Sequence, residues 1–220
     1  MKKLVAVFSG GLDSTVLLSH LLQQGLLGLA VSFNYGQRHA DRELGAAARI
    51  AQRLQVPHLV LDWAFLGKVI AGESALLNDR YEIPKGHYED ESMKATVVPN
   101  RNMIMLSVAT GISIANGFGG VAIGAHAGDH AVYPDCRPEF LEACGSALAL
   151  ADYTHQELLR PFEHIRKEEI VKIGSTLDAP MELTWSCYEG MDVHCGTCGT
   201  CVERKEAFEL GGVADLTEYR

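Results

Sequence analysis

The chain has 220 residues, 47% of them hydrophobic, and a formal net charge of −9. This length favours one sizeable α/β domain over two, and the acidic balance argues against a nucleic-acid-binding surface, which usually carries a basic excess. No run approaches the ~20 apolar residues of a membrane span, and the apolar run after Lys3 is too short for a signal peptide, so we expect a cytoplasmic protein whose six cysteines are reduced or bound to metal.

The first predicted unit is a buried strand followed by a helix. Leu4–Phe8 has the length and β-branched content of a strand, and the apolar spacing over Val16–Leu22 is helical. The run Ser9–Thr15, S-G-G-L-D-S-T, therefore turns from strand to helix. Its glycines let the backbone approach a ligand closely, and N–H groups at the helix start can cradle a phosphate. Asp13 can cap the helix or hold a magnesium ion bound to phosphates.

This loop matches neither of the two commonest nucleotide-binding motifs. It has no lysine at the Walker A position and no G-x-G-x-x-G pattern. A plain Gly-Gly turn with an Asp/Ser helix cap is the simpler interpretation. The serines and the aspartate at these offsets, directly after the first strand, favour a phosphate site.

The next predicted elements alternate strand and helix, which indicates βαβ units. We therefore expect an α/β fold with a Rossmann-like, doubly wound and mostly parallel sheet. Ligands bind such sheets beyond the carboxyl ends of the strands, so Ser9–Ser14, Asn34–Gln37 and Asp62 should share one edge. The elements in this part of the chain are strand Leu29–Phe33, helix Arg42–Leu54 and strand His58–Leu61.

The middle of the chain contains a polar, weakly periodic segment over residues 67–96, which we expect to be a long loop or mobile flap. After it the pattern predicts four elements: helix Met103–Ala115, strand Val121–Gly124, helix Pro138–Leu150 and helix Lys167–Leu177. We expect residues 1–180 to form the α/β domain and residues 181–220 to be a segment packed on it.

Four cysteines lie close together near the end of the chain. Cys195, Cys198 and Cys201 form C-x-x-C-x-x-C, and Cys187 precedes them by eight residues. Four thiolates make the tetrahedral set of a closed, structural zinc site, but the spacing is equally compatible with an iron–sulfur cluster. Of the other two cysteines, Cys144 falls on an apolar helical stripe and should be core, and Cys136 should line a pocket rather than act as a nucleophile.

Several motifs together carry a family resemblance. They are S-G-G-L-D-S-T at 9–15, N-Y-G-Q-R-H at 34–39, V-P-N-R-N at 98–102, His126 with Gly128-Asp129, Y-P-D-C-R at 133–137, T-W-S-C-Y at 184–188 and the terminal C-x-x-C-x-x-C. With these motifs the chain resembles the 7-cyano-7-deazaguanine synthase family of PP-loop ATP pyrophosphatases. The first motif marks the superfamily, and the Y-P-D-C-R and W-S-C runs are more specific.

The resemblance implies an ATP-dependent ligase that converts 7-carboxy-7-deazaguanine and ammonia into the nitrile through adenylated intermediates, releasing AMP and pyrophosphate. It also implies ATP and Mg²⁺ at the loop, structural Zn²⁺ on the cysteines, and a homodimer. The alternatives are a PP-loop enzyme that thiolates tRNA, an amidotransferase-type synthetase and a non-catalytic nucleotide-binding module. The net charge of −9 weighs against the first of these, and 220 residues leave no room for a glutaminase domain.

The resemblance and the residue chemistry together give a set of expected site residues. Asp13, Arg101 and Arg137 are the expected catalytic residues, because paired N–H donors of arginine can neutralise a carboxylate or phosphate. His126 or Asp129 could move protons, and Asn34–Gln37 are placed to meet adenosine. The expected substrate residues are Tyr133, Asp135 and Arg137, and the expected ATP-binding run is Phe8, Ser9, Gly10, Gly11, Leu12, Asp13, Ser14, Thr15, Val16, Leu17 and Leu18.

Overall fold

A computed structural model describes residues 2–220. Its centre is one five-stranded sheet with the strand order β3-β2-β1-β4-β5, and every pairing is parallel. The strands are β1 (Leu4–Val7), β2 (Leu27–Asn34), β3 (His58–Asp62), β4 (Gly120–Ala122) and β5 (Glu157–Leu159). The Rossmann-like α/β fold predicted from the sequence is confirmed.

Seven α-helices accompany the sheet within residues 2–220. They are α1 (Leu12–Gln23), α2 (Ala40–Leu54), α3 (Ala64–Ile70), α4 (Arg101–Ala115), α5 (Pro138–Ala149), α6 (Lys167–Thr176) and α7 (Gly199–Gly211). Short 3₁₀ turns cover Glu91–Thr96, Ala127–Ala131, Pro134–Cys136 and Met181–Leu183. Within residues 2–220, no helix combines the length and the apolar character that a membrane crossing requires.

The strand order places a crevice between β1 and β4. The chain moves outward from β1 through β2 to β3, and then returns to the other side of β1 as β4 and β5. Val5, Ala30 and Val121 are fully buried in the central strands, as expected where helices cover both faces of a parallel sheet. The reversal of strand order between β1 and β4 is the place where doubly wound sheets bind ligands.

The segment over residues 67–96, predicted as a long loop or mobile flap, is mostly a long irregular loop, and its mobility stays a prediction. Its first residues complete α3, and beyond them Leu76, Tyr88 and Met93 are buried against the core. Lys85 also forms a β-bridge with Cys198. The segment is irregular because it has few hydrogen-bonded turns, yet its apolar side chains fasten it to the domain.

The residues after 180 pack closely on the sheet domain. The Trp185 backbone N–H donates to the Gly10 carbonyl at 3.0 Å, which ties this segment to the turn after β1. In α7, the Arg204 side chain is fully buried and its Nη2 lies 3.2 Å from Asp215. The domain boundary at residue 180 stays a prediction, and contacts cross it at several points.

Candidate active site

A cavity of about 210 Å³ opens at the carboxyl ends of β1 and β4. Phe8 and Ser9 follow β1 on one side of it, and Ile123 and Gly124 follow β4 on the other. Residues from α2, α4 and the segment around Trp185 complete its wall. The cavity therefore lies at the switch point that the strand order creates.

The turn after β1 requires glycine at position 10. Gly10 has φ +84°, and a Cβ atom there would lie 2.6 Å from the Ala47 nitrogen and the Glu43 carbonyl oxygen of α2. The turn is held from within, because the Gly11 N–H donates to Ser9 Oγ at 3.1 Å and the Ser9 and Ser14 hydroxyl oxygens are 3.1 Å apart. The result is a fixed loop whose backbone faces the cavity.

Asp13 is available to a ligand because it does not cap the helix. Gly11 is the N-cap of α1 and no side chain caps it, so the first N–H groups of the helix lack intrahelical acceptors. Within the described residues, Asp13 Oδ1 is buried and has no hydrogen-bond partner, while Oδ2 lies 3.1 Å from Lys167 Nζ. Helix-start N–H groups fit a phosphate, and a free carboxylate oxygen beside them fits a magnesium ion.

A cluster of charged side chains lies next to this loop. Lys167 Nζ is 2.6 Å from Glu203 Oε2 and 3.1 Å from Asp13 Oδ2. His126 Nε2 is 3.8 Å from Asp13, 3.6 Å from Asp129 and 3.8 Å from Glu203. Because His126 Nδ1 accepts from the Gly128 N–H at 3.1 Å, the hydrogen-bond network assigns the ring proton to Nε2.

The ionisation of the cluster follows from burial and charge pairing. Burial alone would lower the pKa of Lys167, but the Asp13 and Glu203 carboxylates outweigh it and raise that pKa. Burial alone would raise the pKa of Asp129, but His126 and Lys167 bring it below its ordinary value. For Glu203, burial prevails and the pKa is raised. The cluster therefore keeps a lysine cation beside the phosphate loop.

The opposite part of the cavity is aromatic and contains one arginine. The Arg101 guanidinium lies 5.8 Å from the centroid of the Tyr133 ring, and the Tyr133 hydroxyl is 3.0 Å from that of Tyr188 and 2.8 Å from Thr96 Oγ1. Burial raises the pKa of Tyr35 to about 12 in spite of the nearby Arg101 charge. Flat apolar rings with one buried cation suit a planar, anionic ligand.

Many of the predicted site residues meet at this cavity. Its lining includes Arg101, Tyr133 and six members of the predicted ATP run: Phe8, Ser9, Gly11, Leu12, Asp13 and Ser14. Cys136 also lines it, as expected; burial raises the pKa of its thiol, and Asn102 Nδ2 lies 3.2 Å from its sulfur. Cys144 is buried in the core, as predicted.

Other predicted residues lie outside the lining. Asp135 Oδ2 accepts from the Asn102 N–H at 2.9 Å, so this carboxylate holds the start of α4. Arg137 Nε donates to the His130 carbonyl at 3.0 Å. The remaining members of the ATP run are absent from the lining, because Gly10 turns toward α2 and the rest are buried in α1: Thr15, Val16, Leu17 and Leu18.

Three residues of this site were not predicted from the sequence: Lys167, Glu203 and Tyr88. Tyr88 Oη donates to Asp129 Oδ1 at 3.0 Å, and Lys167 Nζ lies 5.7 Å from the centroid of the Tyr88 ring. Only Lys167 carries a local signal, because it is the first residue of α6 and a cation there opposes the helix dipole. Tyr88 and Glu203 reach the cluster by tertiary packing alone.

The four terminal cysteines converge on one point. The Sγ atoms of Cys187, Cys195, Cys198 and Cys201 all lie within 4.8 Å of one another, and Cys195 Sγ is 3.9 Å from Cys201 Sγ. Tetrahedral Zn–S bonds of ≈ 2.3 Å place sulfurs about 3.8 Å apart. Backbone N–H groups point at the sulfurs, with Cys198 N 3.2 Å from Cys195 Sγ. The set therefore fits a four-coordinate metal ion.

His194 does not take part in this sulfur set. Its Nε2 accepts from the Ser186 N–H at 3.1 Å, and its ring stacks on Trp185 with centroids 4.2 Å apart. Trp185 in turn lines the cavity; its backbone N–H donates to the Gly10 carbonyl, and its indole Nε1–H donates to the Cys187 carbonyl at 2.8 Å. The cysteine cluster thus supports one wall of the cavity from behind.

The family model described as queuosine biosynthesis protein QueC matches residues 3–212. The chain belongs to the QueC family. Relatives in that family include proteins of Rhizobium johnstonii, 51% identical over 99% of this chain and 92% of that protein, and of Marinobacter nauticus, 48% identical over 98% and 96%. A third, from Pseudoalteromonas translucida, is 44% identical over 99% of both chains. All three are named 7-cyano-7-deazaguanine synthase.

A more distant likeness concerns the fold alone. The structure of an NMN synthetase from Francisella tularensis matches 97% of this chain and 78% of that chain, with a TM-score of 0.51 and 14% sequence identity. The two proteins therefore share a fold, and the residues that line the cavity of this chain decide its chemistry.

Proposed function

We propose that this QueC family member is an ATP-dependent carbon–nitrogen ligase that converts 7-carboxy-7-deazaguanine and ammonia into 7-cyano-7-deazaguanine. The family match over residues 3–212 supports the reaction. The observation that carries the proposal is the single cavity in which the Ser9–Ser14 loop faces Arg101 and the tyrosines. One half suits the phosphates of ATP and the other half suits a planar carboxylate.

A cavity that holds ATP phosphates in one half and a carboxylate in the other suits transfer of AMP from ATP to that carboxylate. A carboxylate resists attack by ammonia because its oxygen is a poor leaving group, and transfer of AMP to that oxygen removes the obstacle. Arg101 would hold the substrate carboxylate with paired N–H donors, while the N–H groups at the start of α1 hold the phosphates. Ammonia attack on the adenylate then gives the amide, and a second adenylation with loss of AMP gives the nitrile.

Each metal has a specific set of residues in this scheme. A magnesium ion would bind at Asp13 Oδ1 and would supply positive charge for the departing pyrophosphate. Lys167 is already held beside Asp13 at 3.1 Å and supplies further charge there. A zinc ion on the four cysteines would have no open coordination position, so its role would be folding. We further propose a cytoplasmic homodimer.

The tRNA-thiolating alternative finds less support in the geometry. A sulfur carrier needs an accessible thiolate. Cys136 is 4% exposed and burial raises its pKa, and the four terminal cysteines converge on one another. A thiolation reaction would also make ATP cleavage depend on tRNA.

Nucleotide analysis of omission reactions tests this proposal. Purified protein with ATP, magnesium, ammonium and 7-carboxy-7-deazaguanine should form AMP and pyrophosphate. Omission of the carboxylate should abolish AMP formation, and tRNA should have no effect. ADP as the product, or AMP formation that requires tRNA, would contradict the proposed chemistry.

A further inference from the structure

One carboxylate of the cavity has no part in the proposed adenylation. Within residues 2–220, three carboxylates line this cavity: Asp13, Glu43 and Asp129. Asp13 and Asp129 both face His126 in the charged cluster beside the phosphate loop. Glu43 lies instead on α2, and its side chain is only 15% exposed. A carboxylate held this far out of water needs hydrogen-bond donors, so its surroundings indicate what it can bind.

Buried neighbours hold one oxygen of Glu43 and leave the other free. Oε2 accepts from Gln37 Nε2 at 2.8 Å and lies 3.8 Å from His39 Nε2, and both of these side chains are buried. Within the described part of the chain, Oε1 receives no hydrogen bond. Because each carboxylate oxygen has lone pairs to spare, Glu43 is fixed in position and is still able to accept from a ligand.

Glu43 and Arg101 lie close to the same tyrosine. Burial raises the pKa of Tyr35 to about 12; the Arg101 charge lowers this pKa and the Glu43 charge raises it, so both groups are near the Tyr35 hydroxyl. Beside them, the His39 ring packs against the Tyr188 ring with centroids 5.3 Å apart, and both rings line the cavity. A planar ligand against these rings can have an anionic group at Arg101 and a donor edge at Glu43.

The pattern of donors on a purine-like ring decides whether it suits a carboxylate. The N1–H and 2-amino groups of a guanine-type ring are adjacent donors, and an ionised carboxylate only accepts. The corresponding edge of adenine places its 6-amino donor beside the N1 acceptor, which a carboxylate repels. Glu43 therefore suits the guanine-type edge of the acid substrate better than the adenine of ATP.

We propose that Glu43 binds the N1–H and 2-amino groups of the acid substrate and so determines the specificity for a guanine-type ring. The inference rests on the proposed function, because that reaction supplies the 7-deazaguanine ring. The sequence predicted Asp135 as the substrate carboxylate, but its Oδ2 accepts from the Asn102 N–H and it lies outside the lining. Glu43 takes that role from α2.

The ratio of two specificity constants tests this assignment. The kcat/KM for AMP formation is measured with 7-carboxy-7-deazaguanine and with its analogue that lacks the 2-amino group. The wild-type enzyme should prefer the amino compound by about 10- to 100-fold, as expected for a bidentate pair. In Glu43→Gln the glutamine oxygen can still accept from Gln37, and its NH₂ group then faces the donor edge of the ring, so the preference should fall to about threefold or less. Because both compounds carry the carboxylate, the loss of charge near Arg101 cancels in this ratio.

Two controls separate recognition of the ring from folding and from ATP binding. The variant Glu142→Gln changes an exposed glutamate of α5 and should keep the wild-type ratio. The KM for ATP should stay close to wild type in every variant. Glu43→Asp keeps the charge and withdraws it by one methylene, so its ratio should lie between those of wild type and Glu43→Gln. It replaces Glu43→Gln if the glutamine variant does not fold.

The outcomes that contradict this assignment differ from those that contradict the proposed function. An unchanged preference in a folded, active Glu43→Gln protein would overturn the assignment, and a raised KM for ATP with it would mean that Glu43 faces adenosine instead. Equal activity of the wild-type enzyme with both compounds would overturn it as well. Absence of AMP formation by the wild-type enzyme with 7-carboxy-7-deazaguanine would instead overturn the proposed function.

Discussion

At the scale of single residues, substitution of Arg101 and of Arg137 by lysine tests which arginine binds the carboxylate substrate. Arg101 lines the cavity beside Tyr133, whereas Arg137 donates to a backbone carbonyl outside it. Lysine keeps the charge but loses the paired N–H donors, so Arg101→Lys should lower kcat/KM for the carboxylate substrate by about 10- to 100-fold. The measurement is initial-rate AMP formation at varied carboxylate, and the KM for ATP should stay close to wild type.

Arg137→Lys is the control for this prediction, and it should retain kcat/KM within about twofold. A large loss in Arg137→Lys together with wild-type behaviour of Arg101→Lys would reverse the assignment. The sequence alone does not distinguish the two arginines, which lie in the motifs V-P-N-R-N at 98–102 and Y-P-D-C-R at 133–137. Only the packing of α4 against the cavity separates the two.

At the residue scale, which side chains line the cavity could be predicted where they are local to one turn. Ser9, Gly11 and Asp13 could be predicted, because strand, turn and helix start are adjacent in sequence and their geometry follows from the glycines. Glu203 could not be predicted, because α7 brings it to Lys167 across 36 residues of chain. A buried ion pair between two helices leaves no spacing signal in either of them.

At the scale of elements, one methyl group added in the turn after β1 should strongly lower the activity with ATP. Gly10→Ala would place a Cβ atom 2.6 Å from two backbone atoms of α2, at φ +84°. We expect the loop to shift and kcat/KM for ATP to fall at least tenfold, because an L-residue there costs roughly 1–2 kcal/mol before any clash. The check is the rate of AMP formation at varied ATP, with circular dichroism to show that the protein is folded.

Gly111→Ala is the control for the turn variant. Gly111 lies inside α4, and nothing lies within 4 Å of the Cβ atom that alanine would add. Alanine in a helix interior gains about 1 kcal/mol over glycine, so this variant should keep full activity and melt about 2–4 °C higher. Equal activity in the Gly10 and Gly111 variants would show that the turn geometry is not needed for ATP use.

The buried Arg204–Asp215 pair fastens α7 to the end of the chain. Arg204 is fully buried and also donates to Thr184 Oγ1 at 2.7 Å and to the Met181 carbonyl at 3.1 Å. Removing the partner charge from a buried pair costs about 3–5 kcal/mol. Asp215→Asn should therefore lower the free energy of unfolding in urea by about 3 kcal/mol, and the exposed Glu218→Gln should change it by no more than about 0.5 kcal/mol. A loss below about 1 kcal/mol in Asp215→Asn would show that this pair is not an anchor.

The helices and strands that could be predicted are those whose apolar residues recur with a clear helical or strand spacing. The strands and helices of the first sixty residues agree with the structure to within about two residues, the usual uncertainty of element ends, except that α1 begins at Leu12, four residues before the predicted helical spacing. Helices α3 and α7 were missed, and β5 received no prediction. β5 has only three residues, too few for a period, and α7 begins inside the cysteine motif, where metal-binding chemistry hides the helical spacing.

At the scale of the whole molecule, the cysteine cluster predicts that metal and fold are lost together. Structural zinc contributes roughly 10–16 kcal/mol in small domains, comparable to the stability of an entire domain. Cys198→Ser should give insoluble or metal-free protein, as measured by inductively coupled plasma mass spectrometry on the soluble fraction. Cys144→Ser, a buried cysteine outside the cluster, should retain one zinc per chain. A soluble, active and metal-free Cys198→Ser protein would contradict a structural metal.

The architecture as a whole could be predicted from alternating strand and helix patterns, but the strand order could not. Nothing local in β4 states that it pairs with β1 rather than with β3, because all these strands are short and apolar. The order is decided by packing over the whole sheet. It then determines which loops meet, and so the location of the cavity at β1 and β4.

The most direct test of the account is mass spectrometry of the reaction with ¹⁵N-labelled ammonium, ATP, magnesium and 7-carboxy-7-deazaguanine. The expected product is 7-cyano-7-deazaguanine that carries one ¹⁵N atom, with two AMP formed for each nitrile because the same site activates the acid and then the amide. AMP without nitrile, or no turnover by protein shown to contain its metal, would contradict it.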